Sequence, residues 1–99
     1  MFEIEYAESV ERDLRLLRAH LRKAIFAAID KHLVYEPHVV TRRRKPLPGL
    51  IPPWGHVPPV WQLRVGEYRV FYDVDVDRRV VKVRAIRHKA VHQVTEDIL

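Results

Sequence analysis

Late in the chain a run of cationic and titratable side chains has the types that suit work on a phosphate: Arg64, Arg69, Lys82, Arg84, Arg87, His88, Lys89 and His92. Arginine offers a planar fork that matches two phosphate oxygens, and lysine a compact point charge. Histidine titrates near working pH, so His88 or His92 can give or take a proton. Together these groups permit RNA cleavage without a metal. The substrate's own 2′-hydroxyl attacks the neighbouring phosphate, and fixed cations stabilise the extra negative charge of the transition state. A base assists the hydroxyl and an acid assists the leaving oxygen. Each residue also has a plainer reading, as a solvated charge or half of a local ion pair; Arg69 can simply pair with Asp73.

The charge distribution sharpens the case for a polyanionic partner. The formal net charge is +5, yet residues 42–89 hold twelve basic and four acidic groups, while residues 1–41 are nearly balanced. A field focused on one half attracts nucleic acid, or an acidic protein surface, more than a uniform excess would. Other chemistries lack their residues. No HExxH, GxxxxGK, GxSxG or zinc-type Cys/His cluster occurs, and no cofactor is expected. Asp73, Asp75 and Asp77 alternate as ligands on one strand face would, but a hard cation wants more convergent oxygens, so they read as a solvated strand end. The chain has no cysteine, which favours the cytoplasm. Neither a signal peptide nor a membrane span is expected.

The elements that must position these groups follow from periodicity. At 99 residues and 47% hydrophobic composition, one domain over 1–99 is expected. Phe2-Glu3-Ile4-Glu5-Tyr6 alternates as a strand. Val10, Leu14, Leu17, Leu21, Ile25 and Ala28 then recur at three and four, which predicts helix from about residue 9 to 34, with Ser9 as a possible cap. So long a stripe in so short a chain predicts a hairpin broken near Ala19-His20. Residues 46–59 hold six of the seven prolines and read as a long loop, part of it packed over the core or closing as a lid. Three strands follow, joined at Gly66-Glu67 and at Asp75–Arg78. The last places Val81, Val83 and Ala85 opposite Val80, Lys82, Arg84 and Ile86. The prediction is an α+β fold, β-α-α-β-β-β, with a helical hairpin on an antiparallel sheet whose other face is partly open. There Arg69 would lie beside Phe71, so that an arginine grips phosphate while a base stacks nearby.

Three segments then resemble the RelE/ParE superfamily of bacterial toxins. They are Leu63-Arg64-Val65-Gly66-Glu67-Tyr68-Arg69-Val70-Phe71-Tyr72, Ile86-Arg87-His88-Lys89, and Arg43-Arg44-Lys45-Pro46-Leu47. The resemblance spans nearly the whole chain and implies the toxin half of a toxin–antitoxin pair, with a cognate antitoxin as partner. Its RelE-like branch implies a metal-independent endonuclease acting on mRNA in the ribosome. The ParE-like branch implies a DNA gyrase inhibitor, and a silent binding module is a third reading. By motif, Arg69, His88, Lys89 and Arg64 take the catalytic positions, with His92 a looser match. Arg43, Arg44, Lys45, Lys82, Arg84 and Arg87 would bind nucleic acid. The chain departs from the pattern in five places. Arg87 replaces a glycine, Lys89 replaces an arginine, Val60 and Gln62 stand where RelE has lysines, and no tyrosine follows His88.

Overall fold

The computed structural model describes residues 1–99. The chain runs β1 (Glu3–Tyr6), α1 (Glu8–Arg15), α2 (Ala19–Leu33), β2 (Arg44–Leu47), β3 (Val60–Val65), β4 (Tyr68–Asp75) and β5 (Val80–His88), ending in a 3₁₀ turn at Thr95–Ile98. The sheet order is β1-β5-β4-β3-β2. β1 lies parallel to β5, and every other pair is antiparallel. The expected α+β architecture is present with one strand added. β2 takes in Pro46 and Leu47, which the sequence reading assigned to the loop. Its place at the sheet edge explains why a proline is tolerated there. No helix is long and apolar enough to cross a membrane.

The helical stripe breaks over residues 16–18, immediately before the expected Ala19-His20, without glycine or proline. Arg22 supplies the reason. Its guanidinium donates to the carbonyls of Leu14 and Leu17, at 3.2 and 3.3 Å. Those groups sit where α1 ends and helical partners run out. Ser9 does not cap α1. The N-cap is Ala7, whose carbonyl accepts from the N–H of Val10. Val10 and Leu14 from α1, and Ile25, Ile29 and Leu33 from α2, pack on Trp61, Leu63, Val70, Tyr72, Val81, Val83 and Ile86 of the sheet.

The far face is less open than expected. Phe71, Val60 and Ala85 form a second cluster there with Ile98, against which Leu50, Trp54 and Leu99 pack. Trp54 lies 5.7 Å from Phe71, ring centre to ring centre. Part of the proline-rich loop therefore does fold down over the sheet. Phe71 is 0% exposed, so no base can stack on it beside Arg69. The alternation predicted for β5 also fails. A register shift at Phe71/Tyr72 pairs Phe71 with Ala85 but Tyr72 with Val83. The extra residue turns Ala85 to the far face and Ile86 to the helical core, as a bulge does.

Arg44 belongs to the helix side, not to a nucleic-acid surface. It is 8% exposed, and one terminal nitrogen donates to the His32 carbonyl at the end of α2. Nearby, the buried Tyr72 hydroxyl donates to the Pro37 carbonyl at 2.8 Å. Burial, then the charges of Arg44, Lys31 and Arg43, hold the His32 imidazole below its ordinary pKa. The unfolded chain, with histidine near 6.5, therefore binds the proton more readily. Stability is fully present above that value and falls as pH drops below it, until the folded-state pKa is passed. Changing His32 to Gln should flatten this loss in urea melts at pH 7 and pH 5. Identical losses in both proteins would remove His32 from the account.

Candidate functional site

The far face of the sheet carries a row of three arginines. Arg64 on β3 is directly paired with Arg69 on β4, and Arg69 with Arg87 on β5. Their fates differ. Arg87 reaches Asp13 of α1 at 3.0 Å and lies over the Trp54 ring at 5.8 Å. It can do so because β1 pairs with β5 only as far as Val83, leaving the outer edge uncovered. Arg64 and Arg69 have no carboxylate within 4.0 Å.

Around this unmatched pair lies a cavity of about 210 Å³, lined by Thr41, Arg42, Arg43, Lys45, Gln62, Arg64, Arg69, Lys89 and Thr95. Six of these are cations and none is an acid. Arg69 is fixed by its own turn, donating to the carbonyls of Gly66 and Tyr68 at 3.0 and 2.9 Å. Burial, and then the like charge of Arg64, lower its pKa, although an arginine stays protonated regardless. The turn is tight because Gly66 adopts φ +57, a left-handed conformation that glycine enters freely. The Glu67 carbonyl accepts from the Lys89 N–H at 2.7 Å, which brings the end of β5 beside Arg69.

Of the residues expected from sequence, the structure brings together Arg43, Lys45, Arg64, Arg69 and Lys89. It separates the rest. His88 pairs in register with Tyr68, and their rings meet edge to face at 5.3 Å. Tyr68 packs on the helical core, so His88 stands on the side of the sheet opposite Arg69. Its Nε2 lies 3.1 Å from the Glu67 carboxylate. His92 is exposed in the turn after β5, outside the arginine pocket. Lys82 faces Glu5 at 3.9 Å, and Arg84 meets Asp73 at 2.8 Å, so both charges are answered within the chain. The Asp73–Asp77 alternation is likewise absorbed, with Asp73 on Arg84 and Asp75 on Arg78.

Sequence reasoning missed Thr41, Arg42, Gln62 and Thr95 as pocket residues. Thr41 had a readable signal, a hydroxyl two and three residues before backbone N–H groups it can accept from. Its Oγ1 takes those of Arg43 and Arg44, at 3.2 and 3.1 Å, which sets the bend into β2. Thr95 donates to Gln62 Oε1 at 3.4 Å, a pairing across 33 residues that no local pattern announces.

This arrangement is suited to hold a phosphate. It has forked donors on a fixed frame, no competing carboxylate and an opening to solvent.

Residues 4–91 match the family model described as the ParE toxin of type II toxin–antitoxin systems, parDE. No curated protein matches the sequence. Among solved structures, the chain is similar to one in the archaeal RelE–RelB complex of Pyrococcus horikoshii. The TM-score is 0.71 at 22% identity, over 91% of this chain and 97% of that one. It is similar to one in the RelBE2 toxin–antitoxin complex of Mycobacterium tuberculosis, with TM-score 0.69 at 23% identity over 89% and 98%. It is also similar to the isolated RelE toxin of E. coli, with TM-score 0.61 at 14% identity over 98% and 94%. At these identities the structures speak for the fold.

Proposed function

The chain belongs to the ParE toxin family of type II toxin–antitoxin systems, within the RelE/ParE superfamily, and on the strength of its arginine pocket we propose that it cleaves mRNA on the ribosome. The observation that carries the reading is the Arg64–Arg69 pair. Like charges directly opposed across two strands destabilise a sheet. Here four further cations and no acid surround them. A bound phosphate relieves that repulsion, and a pentavalent phosphorane, with its added charge, relieves it more.

In the proposed step the 2′-oxygen bonds to phosphorus and loses its proton. The bond to the 5′-oxygen breaks, and that oxygen takes a proton from the Lys89 ammonium. Arg69 and Arg64 hold the phosphoryl oxygens. The cavity lining contains no histidine or carboxylate, so in this reading the ribosome supplies the base. That need gives a physical reason for dependence on the ribosome. A cognate antitoxin is the expected partner, as in the structurally similar RelE–RelB complexes.

Primer extension on mRNA in a purified translation system tests the reading. Cuts at ribosome-occupied codons are expected, and an intact message with folded protein would overturn it. The family match favours one further reading, inhibition of DNA gyrase, which such an intact message together with blocked supercoiling would select.

The same charge pair makes a stability prediction. Arg64→Thr should stabilise the isolated protein by about 0.2–1 kcal/mol at low salt by removing the repulsion. The gain should shrink as salt screens it, and RNA binding should weaken. Thermal melts at two ionic strengths check this; a loss of stability would mean the two charges do not oppose each other.

A further inference from the structure

Next to the phosphate pocket lies a second groove, of about 980 Å³, between the segment Lys45–Ile51 and the chain end Lys89–Leu99. It is continuous with the first, since Lys45, Lys89 and Thr95 line both. Its volume falls at the upper end of the range for small-molecule sites, about 300–1,000 Å³. One wall is apolar, built from Pro48, Leu50 and Ile51. Ile51 is 83% exposed, a large aliphatic side chain held out from the loop with nothing on it. The chain-end segment is mixed, with Val94 and Leu99 apolar and Gln93, Thr95 and Glu96 polar. Gln93 uses its Oε1 to accept from the Ala90 N–H at 2.8 Å, which leaves its Nε2 donors unspent. The Glu96 carboxylate has no cation within 4.0 Å.

We infer that this groove is a nucleobase subsite, which takes the base of the nucleotide whose phosphate lies in the Arg64–Arg69 pocket. The inference rests on the RNA-binding reading above. A nucleobase has apolar faces and a rim of hydrogen-bond donors and acceptors. Sites that read a base out of its stack combine apolar side chains against the faces with polar groups at the edge. The groove offers that combination, with Ile51 and Leu50 for a face and Gln93 and Glu96 for the edge. Continuity selects the occupant, because a nucleotide entering here places its phosphate among six cations. The proline-rich loop thereby becomes a determinant of which base is accepted.

The test titrates the full ¹⁵N-labelled chain, followed by NMR, with inorganic phosphate, ribose 5-phosphate and the four ribonucleoside monophosphates. At least one nucleotide should bind tenfold or more tighter than ribose 5-phosphate. It alone should shift the amides of Gly49, Leu50 and Ile51. Ile51→Ser, at a position exposed in the free protein, should erase most of that gain while leaving phosphate affinity unchanged. Nucleotides no tighter than ribose 5-phosphate would overturn the subsite while the phosphate pocket stands. Phosphate that fails to shift Arg64 and Arg69 would overturn the RNA-binding reading, and the subsite with it. Shifts at Leu50 and Ile51 caused by an antitoxin peptide but by no nucleotide would assign the groove to protein instead.

Discussion

Replacing Arg69 with alanine should lower ribosome-dependent mRNA cleavage by about 10²–10³-fold, the usual cost of removing one preorganised donor from a developing anionic charge, while the domain stays folded. The second half of that expectation follows from what Arg69 does in the free protein. It donates to two carbonyls of its own turn, at Gly66 and Tyr68, and neither bond reaches across the fold. Losing such bonds costs about 0.5–1.5 kcal/mol each, and relief of the repulsion from Arg64 offsets part of it. Arg69→Lys separates charge from geometry. A lysine keeps the charge but loses the fork, so it should recover only part of the rate. Single-turnover cleavage with saturating ribosomes, alongside circular dichroism, reads both effects. A folded Arg69→Ala protein that cuts at the wild-type rate would remove Arg69 from the reaction. In the gyrase reading the same variant should still arrest supercoiling, so the two readings part on one protein.

Much of this site was legible before the fold was known, because its central motif is local. Leu63 to Tyr72 is a hairpin with a two-residue turn, so alternation alone places Arg64 and Arg69 on one face. Local pattern fails where a side chain's fate depends on distant residues. Arg44, Arg84 and Arg87 look like Arg64 in sequence. Yet they are claimed by the His32 carbonyl, by Asp73 and by Asp13, the last from 74 residues away. His88 reads as a neighbour of Lys89. A strand turns successive side chains to opposite faces, however, and only the residue beyond the strand end swings back toward Arg69. The bulge at Phe71/Tyr72 is invisible in composition, and it alone reverses the faces assigned to Ala85 and Ile86. The extra strand β2 was hidden by its proline, which argues against a central strand and is silent about an edge.

Asp73→Ala should be the most destabilising charge deletion in the chain, at about 3–5 kcal/mol, because it strips the partner from a largely buried pair. Asp73 is 3% exposed, and its Oδ2 takes two donors. The Nε of Arg84 comes from β5 at 2.8 Å, and the N–H of Val57 from the proline-rich loop at 3.0 Å. One carboxylate thus joins two strands and pins the far end of the loop whose near end walls the second groove. Its deletion leaves Arg84 uncompensated and Val57 unpaired, and frees the loop to leave Phe71. The double variant Asp73→Ala/Arg84→Met separates these losses. With no orphaned charge it should regain a large part of the stability, since replacing a buried pair with apolar groups is often neutral or better. It should not regain the loop anchor. Urea melts report the first effect. Trp54 fluorescence reports the second, since Trp54 and Trp61 are the only tryptophans and Trp61 lies in the helical core. Equal stability of the single and double variants would show that the anchor to Val57, and not the charge on Arg84, carries the cost. A single variant as stable as wild type would show that Asp73 holds neither.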